Sequence, residues 1–387
     1  MIIERARPRR VGQFLFAEIT ATGGVTGYGE SGAWGHLEAS EAALAKFCEY
    51  LVGKDPRRIE YHWNMMHRFA HFNGAAVGGA ISAVDIALWD LKAKALGVPL
   101  YELLGGKVRD RMRVYAHVYS ATREEVTAHA VAKHREGFTA IGHFNPFLDE
   151  PEDRPLFMTH AGLVDEGVKT VRAVREAVGS EVDLLLELHR RLTPAEAIAF
   201  ADKAVEYDPY WIEDPIRPEN IDGMAEVARK VRIPVATGER YFNIYQFKMA
   251  IERRALSFAR VSLGVCGGIT AALKIAAIAE ANDVQVAPHN PISPIGLAAC
   301  AAVGFARANV AIVEYPTGHE NYVMESTPTL LGANIVDGSF SVEQGFMAPS
   351  DRPGLGLNVV EDAERIRPAI SRKVSMRRHR DGSVVDQ

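Results

Sequence analysis

The sequence predicts an α/β protein, a modified (β/α)8 TIM-type barrel with an α+β capping domain. Three observations predict it. Eight short apolar runs, separated by stretches of helical periodicity, succeed one another between residues 112 and 314, the rhythm of parallel strands joined by crossover helices. Three of these runs end in glutamates, Glu187, Glu213 and Glu239, each 26 residues from the next, a length that suits one strand–helix–strand repeat. The first hundred residues follow a different, alternating pattern, and a chain of 387 residues exceeds one ordinary core.

Bulk properties narrow the function classes. A hydrophobic content of 48% with 24% charged residues suits a soluble globular protein. A net charge of −5 gives no electrostatic case for nucleic acid or an anionic membrane. Cys48, Cys266 and Cys300 are far apart, which fits neither a disulfide framework nor zinc-ligand spacing and points to a reducing cytoplasm. The opening MIIERARPRR leads into no apolar stretch of signal-peptide or membrane-spanning length.

In chain order, FLFAEITATGG and VTGYGE alternate around Gly23–Gly24 and read as an antiparallel hairpin. Helical periodicity follows over 37–51 and, more strongly, over 78–96, where Ile81, Val84, Leu88, Leu91 and Ala95 share a face. Gly97 and Pro99 end that helix. The loops 29–36 and 71–79 combine glycine hinges with Trp34, His36 and Phe72; they are either plain connections or a lid that closes on a ligand. The barrel strands are expected at 112–118, 138–144, 182–188, 210–213, 234–239, 257–262, 284–289 and 310–314. Residues 145–165, with three prolines among acidic residues, read as a rim loop. The domains are expected at 1–111 (capping), 112–319 (barrel) and 320–387, a segment returning to the capping domain with a frayed end.

The chemistry sits at the strand ends, where barrels carry their active sites. Alone, each glutamate could cap a helix or pair with arginine, as Glu239 could with Arg240. Three in register on neighbouring strands would repel one another unless a hard cation, Mg2+, lay between them. Asp214 should point away from that cluster. His189, two residues past Glu187, would share its face in an extended segment and is a candidate general acid; alternatively it is a loop histidine among Arg190 and Arg191. His289, across the mouth, is a candidate base, or else it merely orders the proline-rich loop behind it. Removing a proton next to a carboxylate gives an enediolate dianion, which Mg2+ stabilises.

At these residues the chain resembles the enolase superfamily, in its mandelate racemase branch, and most resembles the D-galactonate dehydratase-like acid-sugar dehydratases. AISAVDIALWDLKAKALGVPLYELLGG is similar to that family's capping-domain helix, and ELH, IEDP, GER, GGIT and APHNPISPIGLAA to its barrel motifs in order. The resemblance implies an enolase-like fold, Glu187, Glu213 and Glu239 as Mg2+ ligands, His189 as acid and His289 as base. It also implies a substrate contact at Glu314, which taken alone could equally be a structural ion pair. Two departures stand out. Ser262 occupies the position of the aspartate that orients the base, so His289 should be weaker than usual. His143 stands where relatives often carry lysine, followed by Phe144 and Asn145; His143 and Asn145 are candidate substrate contacts, and His143 could instead be a second acid–base group or a satisfied polar residue.

The function expected is a cytoplasmic, Mg2+-dependent aldonate dehydratase that eliminates the 3-hydroxyl to give a 2-keto-3-deoxy acid. Its partner is a small carboxylate, with neither nucleic acid nor membrane, and a homo-oligomer is expected. The alternatives are a racemase, epimerase or cycloisomerase on the same enolate, and a catalytically lapsed binder of metal or acid sugar.

Overall fold

The structure, a computed structural model, describes residues 1–148, 153–156, 158–320, 323–324 and 329–386. The rim loop expected over 145–165 and the segment from 320 onward therefore lie partly outside the described residues.

The N-terminal sheet is antiparallel: β1 (Ile3–Val11), β2 (Phe14–Ala21) and β3 (Thr26–Ser31). The hairpin falls where Gly23 and Gly24 supply φ values of 91° and 77°. Sequence reading passes over β1, because its arginines look like a charged tail. They instead line one strand face, and Arg5, Arg7 and Arg9 all meet Glu18 of β2, at 3.1, 2.8 and 3.0 Å. Helices α1 (Leu37–Leu51), α2 (Ile59–Arg68), α3 (Ala75–Leu96) and the short α4 (Leu100–Leu103) follow. α3 starts at Ala75, so the second half of the expected loop 71–79 is its first turn. It ends at Gly97 in the left-handed conformation, φ 70°. It is buried around most of its circumference because it lies between the sheet and the barrel. Against β3 the approach is so close that a Cβ on Gly27 or Gly29 would meet the carbonyl oxygens of Ala87 or Ala83 at 2.2 and 2.1 Å.

All eight expected barrel strands are present: β4 (Met112–His117), β5 (Ala140–Phe144), β6 (Asp183–Glu187), β7 (Trp211–Glu213), β8 (Val235–Thr237), β9 (Phe258–Ala259), β10 (Gln285–Val286) and β11 (Val313–Tyr315). Helices α5 (Arg123–Arg135), α6 (His160–Val178), α7 (Pro194–Ala204), α8 (Ile221–Lys230), α9 (Ile244–Glu252), α10 (Gly268–Glu280) and α11 (Pro294–Ala306) connect them. The strands pair in parallel from β4 to β10. β11 pairs with β4, and a single Val286–Val310 bridge closes the ring. One residue from each strand or its immediate flank fills the barrel interior as a layer: Tyr115, Ala140, Leu185, Trp211, Ala236, Phe258, Ala287 and Ile312.

Two buried carboxylates from the N-terminal region hold it to the barrel. Asp85 of α3 accepts from the Thr270 N–H and hydroxyl at 2.9 and 2.5 Å, in the first turn of α10. Glu30 of β3 accepts from Ser293 and Gly296 at the start of α11. Each satisfies donors that a helix N-terminus leaves open. Residues 354–372 return to the N-terminal region: Leu355 N–H donates to Asp90, Arg9 binds Glu364, and Arg10 donates to the Ile370 carbonyl. Up to residue 386 the tail makes contacts with the barrel rim and with itself. Arg378 and Val384 form an antiparallel bridge, Leu156 pairs with His379, and Asp386 reaches Arg217 at 3.0 Å.

Asp85→Ala should leave the Thr270 N–H buried without an acceptor and destabilise the fold by about 2–3 kcal/mol. Urea unfolding checks this, and Asp85→Asn, which keeps an acceptor, should lose less.

Candidate active site

Strand alternation builds the site directly on the interior layer. Two residues past each layer member the side chain again points inward, and those positions are His117, Gly142, Glu187, Glu213, Gly238, Arg260, His289 and Glu314. Gly142 makes room for Tyr115, whose ring a Cβ would strike at 2.3 Å. Gly238, with φ 133°, offsets the alternation by one residue and lets Glu239 join the ring.

Glu187, Glu213 and Glu239 converge, each with a carboxylate oxygen within 4.8 Å of the others. The register explains it: Glu187 pairs with Glu213 across β6 and β7, and Glu213 pairs with Ala236 of β8. Glu187 and Glu213 are buried. Burial, then repulsion from its two neighbours, pushes Glu187 well above the usual carboxylate range. Burial pushes Glu213 up to about 8, against the opposing charge of Arg260. Burial also acts on Glu239, but His289, Arg190 and Arg260 override it and hold that carboxyl below the ordinary value. A cluster that must otherwise retain protons near neutral pH, with only hard oxygen donors, fits a hard divalent cation.

Arg240 does not pair with Glu239. Its partner is Glu219 at 2.7 Å, and Arg190 takes Glu239 at 2.7 Å and Asp214 at 3.1 Å. Asp214 lies outside the cluster, as expected, and also accepts from Thr237.

His189 does lie beside Glu187, but not by extended alternation. β6 ends at Glu187, and His189 and Arg190 turn with φ 49° and 62°. This brings the His189 N–H to 2.8 Å from a Glu187 oxygen. The ring is 5% exposed and its Nδ1 is buried with no partner among the described residues. Burial, then His143, Arg190 and Arg191, holds its pKa well below the ordinary value, so the unliganded site disfavours the expected imidazolium.

His289 Nε2 faces Glu239 at 3.2 Å. Its Nδ1 is buried without a partner among the described residues, so no hydrogen bond comes from Ser262. Ser262 meets His289 only through a backbone bridge. Burial lowers the His289 pKa, and Glu239 and Glu314 offset part of the shift.

Glu314 takes the ion-pair arrangement. One oxygen accepts from His117 at 2.8 Å, and the other from Arg260 at 2.5 Å and the Asn290 N–H at 2.9 Å. His143 sits at a register shift between β5 and β6, with φ 48°. Its ring lies 4.6 Å from that of His189, edge to face. Asn145 is buried and accepts from the Phe147 N–H at 2.9 Å, a turn-stabilising role. Trp34 lies under Arg372, whose guanidinium carbon is 3.6 Å from the ring centre, and His36 is exposed just before α1.

Sequence reading missed the residue at the centre. Arg260, 1% exposed, joins Glu213 (2.5 Å), Glu314 (2.5 Å), the Tyr115 hydroxyl (2.6 Å) and the carbonyls of Ala287 and Pro288 (3.0 and 3.2 Å). His117, which holds Glu314 and the Tyr119 hydroxyl (2.8 Å), was missed as well. Strand alternation, applied to FARVS and VYAHV, would have placed both on the inward face.

Comparison with known proteins agrees with this architecture. Residues 125–363 match the family model "Enolase C-terminal domain-like", and residues 8–105 match "Mandelate racemase / muconate lactonizing enzyme, N-terminal domain". The chain is 37% identical over 383 residues to a D-galactonate dehydratase of Ralstonia nicotianae, covering 97% of this chain and 96% of the relative. It superposes on an enolase of Agrobacterium radiobacter bound to Na and L-malate with TM-score 0.90, 30% identity and full coverage of both chains. With an enolase of Pantoea ananatis bound to D-gluconate and Mg, the TM-score is 0.88 at 27% identity, again with full coverage of both.

Two outcomes follow. Arg260→Met should strand two buried carboxylates and cost about 3–5 kcal/mol in chemical denaturation. Divalent cation binding at pH 7 should release protons, because carboxyls with raised pKa are protonated before the cation arrives. Calorimetry in buffers of different ionisation enthalpy should show that release, and affinity should climb as pH rises toward 8.

Proposed function

The chain belongs to the mandelate racemase/muconate lactonizing enzyme family of the enolase superfamily, and from that premise we propose that it is a Mg2+-dependent acid-sugar dehydratase acting on an aldonate of the D-galactonate type. The observation that carries the reading is the convergence of Glu187, Glu213 and Glu239 with His189 and His289 around one barrel mouth. The full-length likeness to D-galactonate dehydratases supports the substrate class.

In this reading Glu187, Glu213 and Glu239 hold Mg2+. Bound there, the ion supplies Lewis-acid stabilisation of the negative charge that develops on the substrate carboxylate. His289 accepts the α-proton at Nε2, the nitrogen that faces the carboxylates. His189 gives a proton to the departing 3-hydroxyl, so that water leaves and the resulting enol becomes a 2-keto-3-deoxy acid. Burial keeps His189 neutral in the unliganded site, and an incoming sugar carboxylate supplies the opposing charge that favours its protonation. Arg260 clamps the carbonyls just before His289 and so positions the base. Asn145, Trp34 and His36 remain candidate contacts for the substrate or its lid.

A second reading, isomerisation of the same enolate, draws support from His143, a third imidazole 4.6 Å from His189. The working state we propose is a cytoplasmic homo-oligomer. Three buried free cysteines suit a reducing compartment, and the exposed Phe69 and Phe72 are surfaces an assembly could cover.

The test is a panel of aldonates and aldarates with Mg2+ in D2O, followed by NMR. A 2-keto-3-deoxy product supports the dehydratase, α-deuteration or inversion without water loss supports the isomerase, and neither event with any acid sugar overturns both. His289→Asn should lower kcat by about 10²–10⁴-fold. Ser262→Asp should raise the basicity of His289. Because the base must be unprotonated to act, the acidic limb of the pH–rate profile should move to higher pH, by about one unit.

A further inference from the structure

His143, Glu187 and His189 form a second cluster at the mouth, distinct in chemistry from the three glutamates. Each offers one ligand atom, and all three lie within 4.8 Å of one another. The three glutamates are all hard oxygen donors, whereas this cluster has two imidazoles and one carboxylate, the donor set favoured by zinc and neighbouring transition metals over Mg2+. A tetrahedral zinc with bonds of about 2.1 Å sets its ligands about 3.4 Å apart, so a modest rotation of the imidazole rings would close the site. The buried Nδ1 of His189, which meets no partner among the described residues, is a second, independent sign of an absent ligand. The register shift between Ile141 and Phe144 sets His143 at this position, because a bulge re-aims the side chain it carries.

We propose that His143, Glu187 and His189 bind a transition-metal dication of the zinc class, at a site separate from that of the three glutamates and joined to it through the shared carboxylate of Glu187. The ion enters as the aqueous dication and displaces water and any imidazole proton, with no change of oxidation state. Occupancy removes His189 from proton transfer. Zinc is therefore an inhibitor that excess Mg2+ does not relieve, a consequence that rests on the proposed dehydratase reading; the binding itself does not.

Co2+, whose visible absorption and paramagnetism report its ligands, is the probe. It is titrated into the full-length protein in saturating Mg2+ without substrate. One equivalent should bind with a ligand-field spectrum typical of mixed nitrogen and oxygen donors. The proton NMR spectrum should show strongly shifted, exchangeable imidazole N–H signals. His143→Ala should weaken binding at least ten-fold while keeping the wild-type Mg2+ affinity and circular dichroism. If that variant fails to fold, the shifted N–H signals of the wild-type protein decide alone. Absence of those signals, or a well-folded variant that binds Co2+ as tightly and with the same spectrum, overturns the site and means that Co2+ merely replaces Mg2+ among the glutamates. Neither readout needs turnover, so failure of the metal site and failure of the dehydratase reading are told apart.

Discussion

Buried negative charge governs this structure. Glu187, Glu213, Asp214, Glu239 and Glu314 lie at one end of the barrel, and Arg190 and Arg260 lie among them as opposing guanidinium groups. In a medium of low dielectric, repulsion between such groups is several times what it is in water, and each carboxylate responds according to its partner. Glu314, gripped by Arg260 and His117, stays ionised well below the ordinary range in spite of its burial. Glu187, which has no arginine bonded to it among the described contacts, goes the other way. The site is thus divided before any ligand arrives: Asp214 and Glu314 are held by the scaffold, and Glu187, Glu213 and Glu239 face one another as oxygen donors for a cation.

Arg260 makes that division possible, and its position follows from barrel geometry. It lies two residues past Phe258 of the interior layer, so its guanidinium rises from the packed floor into the carboxylate ring. Its stem passes Trp211 and Tyr115, with the guanidinium carbon 5.5 and 5.6 Å from their ring centres, contacts that offset part of the cost of desolvating it. Five donors in a rigid fork reach Glu213, Glu314, Tyr115 and two carbonyls at once, which a lysine could not do.

The legible parts of the chain were those written in short-range periodicity. Eight strands, the hairpin, α1 and the end of α3 follow from alternation, helical spacing and glycine placement, and the glutamates stood out because they recur every 26 residues. What escaped was set by distant partners. β1 carries Arg5, Arg7, Arg9 and Arg10, and only the presence of Glu18 across the hairpin turns that charge into a sheet face. Arg260 meets Tyr115 from 145 residues away; alternation in FARVS turns its side chain inward but does not say which distant carboxylates it meets. The tail looked free to fray because its anchors, Leu156 and Arg217, belong to the barrel rim. His189 reached its expected place by an unexpected route, since two consecutive residues with positive φ are not visible in ELHRR.

Ser262 is where sequence and structure bear on the same question from different sides. An aspartate there would hold His289 by charge and fix which nitrogen carries the proton. The serine does neither, and Nδ1 is left buried without a partner among the described residues. The imidazole is instead located by its backbone: the His289 N–H donates to Val261, and Arg260 holds the two preceding carbonyls. Backbone anchoring fixes where the ring is but contributes nothing to its basicity. Stabilisation of the protonated ring must therefore come from Glu239, 3.2 Å from Nε2, and from Glu314 beyond it. A cation bound by Glu239 would withdraw part of that support. In the proposed mechanism the base and the metal site therefore share one carboxylate, and the acidity that His289 can match depends on how much of the Glu239 charge the metal leaves unclaimed.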